Sequence, residues 1–253
     1  MTAIEGFAEE TFSSGGHSFR IFRGGEGPGV LVLHELPGLT RETVDLATWL
    51  VDRGFHVVMP LLFGRPLQNA GVGLAQLPLL CLRREFNCLA TGKSSPITGA
   101  LRELCRKVHA ECGGPGIGAI GMCLTGGFVL ALLIEPALLA GVTAQPSLPL
   151  FAAGVDVEPE VLAAASKRTD AMSLLGFRFE NDWRCPKTRF DVLASSLRGA
   201  AADGEAHFRA SVVPGKGHAT LTFDYPLALE RGIDTRNLLL EHLRGRLMAA
   251  AKS

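Results

Sequence analysis

Residues 120–127 read I-G-M-C-L-T-G-G, a lone cysteine among glycines, directly after an apolar run and directly before a helical pattern. A buried structural thiol does not need that neighbourhood, whereas a nucleophile on a sharp strand-to-helix turn does. The strained turn requires small neighbours, which Gly121 and Gly126 provide. Free N–H groups at the start of the helix favour thiolate over thiol. The Leu124 N–H would then point to where an acyl oxyanion develops, and one such donor contributes roughly 3–4 kcal/mol to a transition state. Two other segments carry complementary groups: Asp182 in F-E-N-D-W-R-C-P (179–186) and His218 in P-G-K-G-H-A-T (214–220). A histidine in a Gly-rich loop can reach the sulfur, and a carboxylate can fix its tautomer and orientation. Taken singly, each has a plainer reading: core thiol, loop cap, surface histidine. In this order, each one strand apart, they describe nucleophilic catalysis.

The elements that must position these groups alternate along the chain. GVLVLH (29–34) reads as a strand, and Thr40 caps a helix through Leu46, Ala47 and Leu50 that stops at Gly54. FHVVMP (55–60) is the next strand. Pro96 suits the first turn of a helix whose buried stripe is Ile97, Ala100, Leu101, Leu104, Cys105 and Val108. GIGAIGM (116–122) is a strand, followed by FVLALLI (128–134) in a helix. MSLLGFRF (172–179) precedes a Pro186-initiated helix carrying Phe190, Leu193 and Leu197 on one face. HFRASVV (207–213) is the last strand, and 235–249 a closing helix. Strands that are apolar throughout and alternate with helices imply an α/β fold, a mostly parallel sheet covered on both faces. No linker or repeat divides the chain, so residues 1–253 are read as one domain, with 61–95 a cap or pocket-lining insertion.

Composition narrows the function classes. The 253 residues are 47% hydrophobic, enough for a large core, and 25 basic against 25 acidic residues leave no net charge. That balance argues against nucleic acid and against an anionic membrane surface as partners. No apolar run approaches the ~18 residues of a membrane span, and the acidic N-terminus lacks the pattern of a secretory signal. Six cysteines without a C-x-x-C pair suggest neither a disulfide scaffold nor a zinc site. Five of them are read as structural, in a reducing cytoplasmic compartment, and no spacing implies a cofactor or metal.

The order nucleophile, acid, histidine is that of the α/β-hydrolase triad. From about residue 29 to 223 the chain resembles the dienelactone hydrolases, cysteine-dependent members of that fold. The likeness lies in L-H-E-L-P-G-L (33–39), W-L-V-D-R-G-F (49–55), G-M-C-L-T-G-G (121–127), D-W-R-C-P (182–186) and G-K-G-H (215–218). The resemblance implies Cys123 as nucleophile, Asp182 as acid and His218 as base. It implies Glu35 as the glutamate beside the resting thiol, and the N–H groups of Leu36 and Leu124 as oxyanion donors. Arg83 and Arg84 lie in the region where the family places a carboxylate-binding arginine. The expected substrate is a small ester or lactone. Two positions depart from the pattern: Thr125 replaces the usual elbow glycine, and Thr222 stands near a second carboxylate-binding arginine of the type member. His34 is read as a satisfied polar core residue. Two other readings stay open. One is an amidotransferase-like or DJ-1-like cysteine fold, although Thr220 stands where amidotransferases place a glutamate. The other is a non-catalytic small-ligand binder or redox sensor that kept the fold.

Overall fold

The apolar runs of the sequence lie side by side in the middle of one sheet. The computed structural model describes residues 4–67, 93–149 and 154–248. In it β3 (Gly29–Leu33), β4 (His56–Pro60), β5 (Ile117–Met122), β6 (Leu138–Ala144), β7 (Ser173–Phe179) and β8 (Phe208–Val213) run parallel. An antiparallel hairpin of β1 (Ala8–Ser14) and β2 (His17–Gly24) joins β4, giving the order β1-β2-β4-β3-β5-β6-β7-β8. Every residue of β3, β5, β6 and β7 is buried, as strands covered on both faces require. Half of the residues in the edge strand β8 are exposed.

Helices cover the sheet where the periodicity places them. In α1 (Arg41–Val51) the Thr40 hydroxyl accepts from the Thr43 N–H at 3.4 Å, and Thr43, Leu46, Ala47 and Leu50 are buried. In α2 (Thr98–Cys112) the stripe Ala100, Leu101, Leu104, Cys105 and Val108 faces the core, and Ile97 occupies the N-cap. The short α3 (Gly126–Leu132) is buried all round. α4 (Pro159–Ala165) precedes β7, α5 (Lys187–Ser196) precedes β8, and α6 (Tyr225–Glu230) leads to α7 (Thr235–Leu247). α7 packs on the sheet where Gly118 leaves room for Leu243.

The structure extends the sequence reading in three places. The β1–β2 hairpin is half-polar and partly exposed, so its alternation carries little apolar signal. β6, L-L-A-G-V-T-A, is a buried strand of seven residues between α3 and α4. α4 is a single short helix of seven residues. Strand β3 ends at Leu33, so His34 belongs to the loop and not to the strand. Of the proposed cap, 68–92 lies outside the described residues, and with it Arg83 and Arg84.

Candidate active site

The tip of β5 is an elbow. Cys123 has φ 54°, in the left-handed region that costs a side-chain-bearing residue roughly 1–2 kcal/mol. The surroundings enforce it. A Cβ at Gly121 would overlap the Thr125 carbonyl oxygen and crowd Val129. The Thr125 hydroxyl accepts from the Met122 N–H at 2.9 Å and faces the carbonyls of Leu33 (2.9 Å) and Met122 (3.0 Å). Threonine at the usual glycine position therefore does not open the turn. It ties the elbow to the end of β3. The sulfur is nearly buried, and Sγ lies 3.1 Å from the Ser147 Oγ.

The tips of β7 and β8 bring the second and third groups together. His218 Nδ1 and Asp182 Oδ2 are 2.6 Å apart, and both side chains are buried. The other Asp182 oxygen accepts from the Arg184 N–H at 3.0 Å, which fixes the carboxylate plane. The His218 loop is held by Asp224, whose Oδ2 accepts from the N–H groups of His218 (2.7 Å) and Ala219 (3.0 Å). Gly217 lies flat on the Phe179 ring, where a Cβ would collide. His218 Nε2 is buried and has no hydrogen-bond partner of normal geometry among the described residues, and Cys123 is its electrostatic neighbour. Burial pushes the imidazole pKa down, but Asp182 and then Cys123 outweigh it and raise it to about 10. This ring holds a proton readily.

Glu35, just past β3, is buried, and burial raises its pKa against the opposing effects of Thr222, His218 and Gln145. One carboxylate oxygen accepts from the Thr222 hydroxyl, the other from Gln145 Nε2 at 3.2 Å. Gln145, itself at φ 39°, accepts on Oε1 from the Thr220 hydroxyl at 2.7 Å. Glu35, Gln145, Thr220 and Thr222 thus link the tips of β3 and β6 to the His218 loop. The sequence reading sets Glu35 beside the resting thiol; here its hydrogen bonds go to Thr222 and Gln145, and the hydroxyl at the sulfur is Ser147's. His34 is buried and neutral, its pKa lowered to about 4 by burial. Its Nε2 accepts from the Leu62 N–H, which leaves Nδ1 to donate to the Glu35 carbonyl. It is the satisfied core histidine expected. The Leu36 N–H finds no acceptor among the described residues.

Three contributors were not legible as site residues: Ser147, Gln145 and Arg189. Arg189 is fully buried and donates to the carbonyls of Pro146 (2.5 Å), Pro149 (3.0 Å), Gly154 (2.9 Å) and Arg184 (3.2 Å). It braces the loop after β6 against the loop carrying Asp182. Its position in the first turn of α5 gave no such signal, since an arginine there ordinarily faces water. At the surface beside the site, Trp183 and Phe223 are exposed, whereas Phe63 is buried and packs edge-on against His34. Among the described residues no helix is long and apolar enough to cross a membrane.

A mostly parallel sheet with a cysteine elbow after β5, an acid after β7 and a histidine after β8 defines an α/β-hydrolase fold. Strand β6 intervenes between the first two, so the sulfur and the carboxylate are two strands apart rather than one. The dienelactone hydrolase family model matches residues 22–222, and the chain belongs to that family. In general terms, then, it is a hydrolase. Among solved structures it resembles a dienelactone hydrolase from Anabaena variabilis at 16% identity, TM-score 0.65, over 96% of this chain and all of that one (100%). An α/β serine hydrolase homologue from Coxiella burnetii matches at 14% identity and TM-score 0.57, over 96% of this chain and 100% of that one. An acylaminoacyl peptidase from Pyrococcus horikoshii matches at 15% identity and TM-score 0.61, over 99% of this chain but 43% of its own. At these identities the likeness is one of fold. A search of curated proteins finds no match to the chain.

Proposed function

We propose that the protein hydrolyses small carboxylic esters or lactones through an acyl-enzyme on Cys123. His218 takes the Sγ proton on Nε2, and the sulfur attacks the acyl carbon. The negative charge moves to the carbonyl oxygen, which the N–H groups of Leu36 and Leu124 receive. As the tetrahedral intermediate collapses, the C–O bond to the leaving group breaks and His218 returns the proton to that oxygen. Water, deprotonated by His218, then attacks the thioester, and the carboxylic acid departs with the thiol restored. Asp182 stays ionised throughout and holds the ring by Nδ1. A thiolate is both a good nucleophile and a good leaving group, so activated esters suit it better than amides.

The observation that carries this reading is the 2.6 Å Nδ1–Oδ2 bond, which leaves His218 Nε2 directed away from Asp182 in the neighbourhood of the sulfur. Free Cys105, Cys112, Cys123 and Cys185 agree with a reducing compartment, and we place the protein in the cytoplasm. The buried thiols Cys105 and Cys185 are held protonated, Cys185 with a pKa pushed up to about 12 by burial, so neither competes as nucleophile. The test is p-nitrophenyl acetate hydrolysis by the wild type, by Cys123→Ala and after iodoacetamide. Turnover should vanish in both treated forms. Turnover that survives both would falsify the cysteine route, and an inert wild type with a slowly alkylating Cys123 would point to a ligand binder.

A further inference from the structure

A hydroxyl stands at the sulfur that the triad does not use. Ser147 Oγ lies 3.1 Å from Cys123 Sγ, and the Ser147 N–H donates to the Cys123 carbonyl at 3.1 Å. Two contacts between the same two residues fix their relative position, and Ser147 is buried. The loop carrying it is braced on every side. The Gln145 N–H donates to the Phe177 carbonyl at 2.6 Å, and its side chain spans Glu35 and Thr220. Pro146 rests on Gly126, where a Cβ would touch it at 3.0 Å. Arg189 grips the carbonyls of Pro146 and Pro149, one on each side of Ser147. A short polar side chain held this firmly against a reacting atom is a preorganised dipole, which costs no reorganisation when charge develops.

We propose that Ser147 is a thiolate-stabilising donor, its hydroxyl donating to the Cys123 sulfur once that sulfur is ionised and aiming it before substrate arrives. The inference rests on Cys123 being the nucleophile. The direction of the bond follows from the proton balance. The sulfur's proton passes to His218 Nε2, the sulfur becomes a strong acceptor, and Ser147 keeps its own proton, with no covalent bond made or broken at Oγ. Hydrogen bonds to charged acceptors are the strong ones. The contribution has a cost: stabilising the anion lowers its intrinsic nucleophilicity, because reactivity falls with basicity at a Brønsted slope of about 0.4–0.5. Ser147 should therefore increase the amount of thiolate while making each thiolate slightly less reactive.

That pair of effects is the signature to measure. Iodoacetamide alkylation of Cys123 is followed from acid to alkaline pH, with Cys123→Ala as background, and thiolate absorbance in the ultraviolet is read alongside. Ser147→Ala should move the midpoint upward by about one pH unit, so alkylation on the acid side slows about tenfold. On the alkaline plateau it should be as fast as wild type or faster. Ser147→Thr, which keeps the hydroxyl, should restore the wild-type midpoint. Ser147→Gly removes the same hydroxyl and repeats the test should the alanine variant not fold. An unmoved midpoint, equal slowing at every pH, or no rescue by threonine would overturn the proposal. Because the thiol itself is titrated, these outcomes are distinct from failure of the nucleophile reading, which shows as ester turnover by Cys123→Ala.

Discussion

The Thr222 hydroxyl donates to the Glu35 carboxylate across 187 positions of sequence, tying the loop after the catalytic-type histidine to the tip of β3. Threonine thus stands near the place where the resemblance leads one to expect a substrate-binding arginine, and its hydroxyl is spent on the buried glutamate. The buried acid is left more readily protonated than an exposed one, burial being the leading cause.

Thr222→Val should cost about 1–3 kcal/mol, the penalty for a buried acceptor that loses its donor. A raised carboxylic pKa means that folding favours the protonated form, so stability is present at low pH and lost as pH rises through the folded value. Removing the donor raises that value further, so the variant should lose more at pH 8 than at pH 5. Urea unfolding at both pH values measures this, and adding Glu35→Gln should narrow the gap.

Asp182→Asn should lower kcat by roughly 10³–10⁴-fold with unchanged far-UV circular dichroism, because it favours the wrong tautomer of His218. The neighbouring acids do not replace it. Glu180 accepts from the Gly215 N–H and Asp191 pairs with Lys187, whereas the imidazole's carboxylate partner is Asp182.

Asp156 gives a pH effect unrelated to turnover. Its carboxylate lies against Gly127, where a Cβ would overlap it, and Oδ1 has no hydrogen-bond partner among the described residues. Burial raises its pKa from 3.8 to about 6. An acid raised in the folded state destabilises the fold as pH climbs through that interval. Asp156→Asn should therefore gain about 2 kcal/mol on wild type between pH 4 and pH 8, read as the pH dependence of the unfolding free energy.

Thr125→Val should cost about 1–3 kcal/mol by leaving the Met122 N–H unpaired, whereas Thr125→Ser should keep most of the stability. Thermal unfolding of the two variants decides whether the hydroxyl or the methyl group matters at this elbow.

The parts legible in the sequence were those set by local chemistry. Gly121 and Cys123 announced the elbow because a left-handed turn needs a neighbour without a side chain. The core strands β3, β5 and β7 were visible because both faces are buried and their apolar runs are continuous. The β1–β2 hairpin was not, since pairing on an exposed edge leaves polar residues such as Glu9 and Glu10 on the strand. Ser147, Gln145 and Arg189 were hidden for a different reason. Their roles arise where the loop after β6 meets β3, α5 and the His218 loop, and nothing in their own neighbourhoods marks such long-range bonds.

The most direct measurement is mass spectrometry of the protein quenched in acid during p-nitrophenyl acetate turnover. One acetyl group should appear, mapped to the Cys123 peptide and lost on further incubation. An acetyl group on the Ser147 oxygen, or steady turnover with no acyl group on Cys123, would contradict the account.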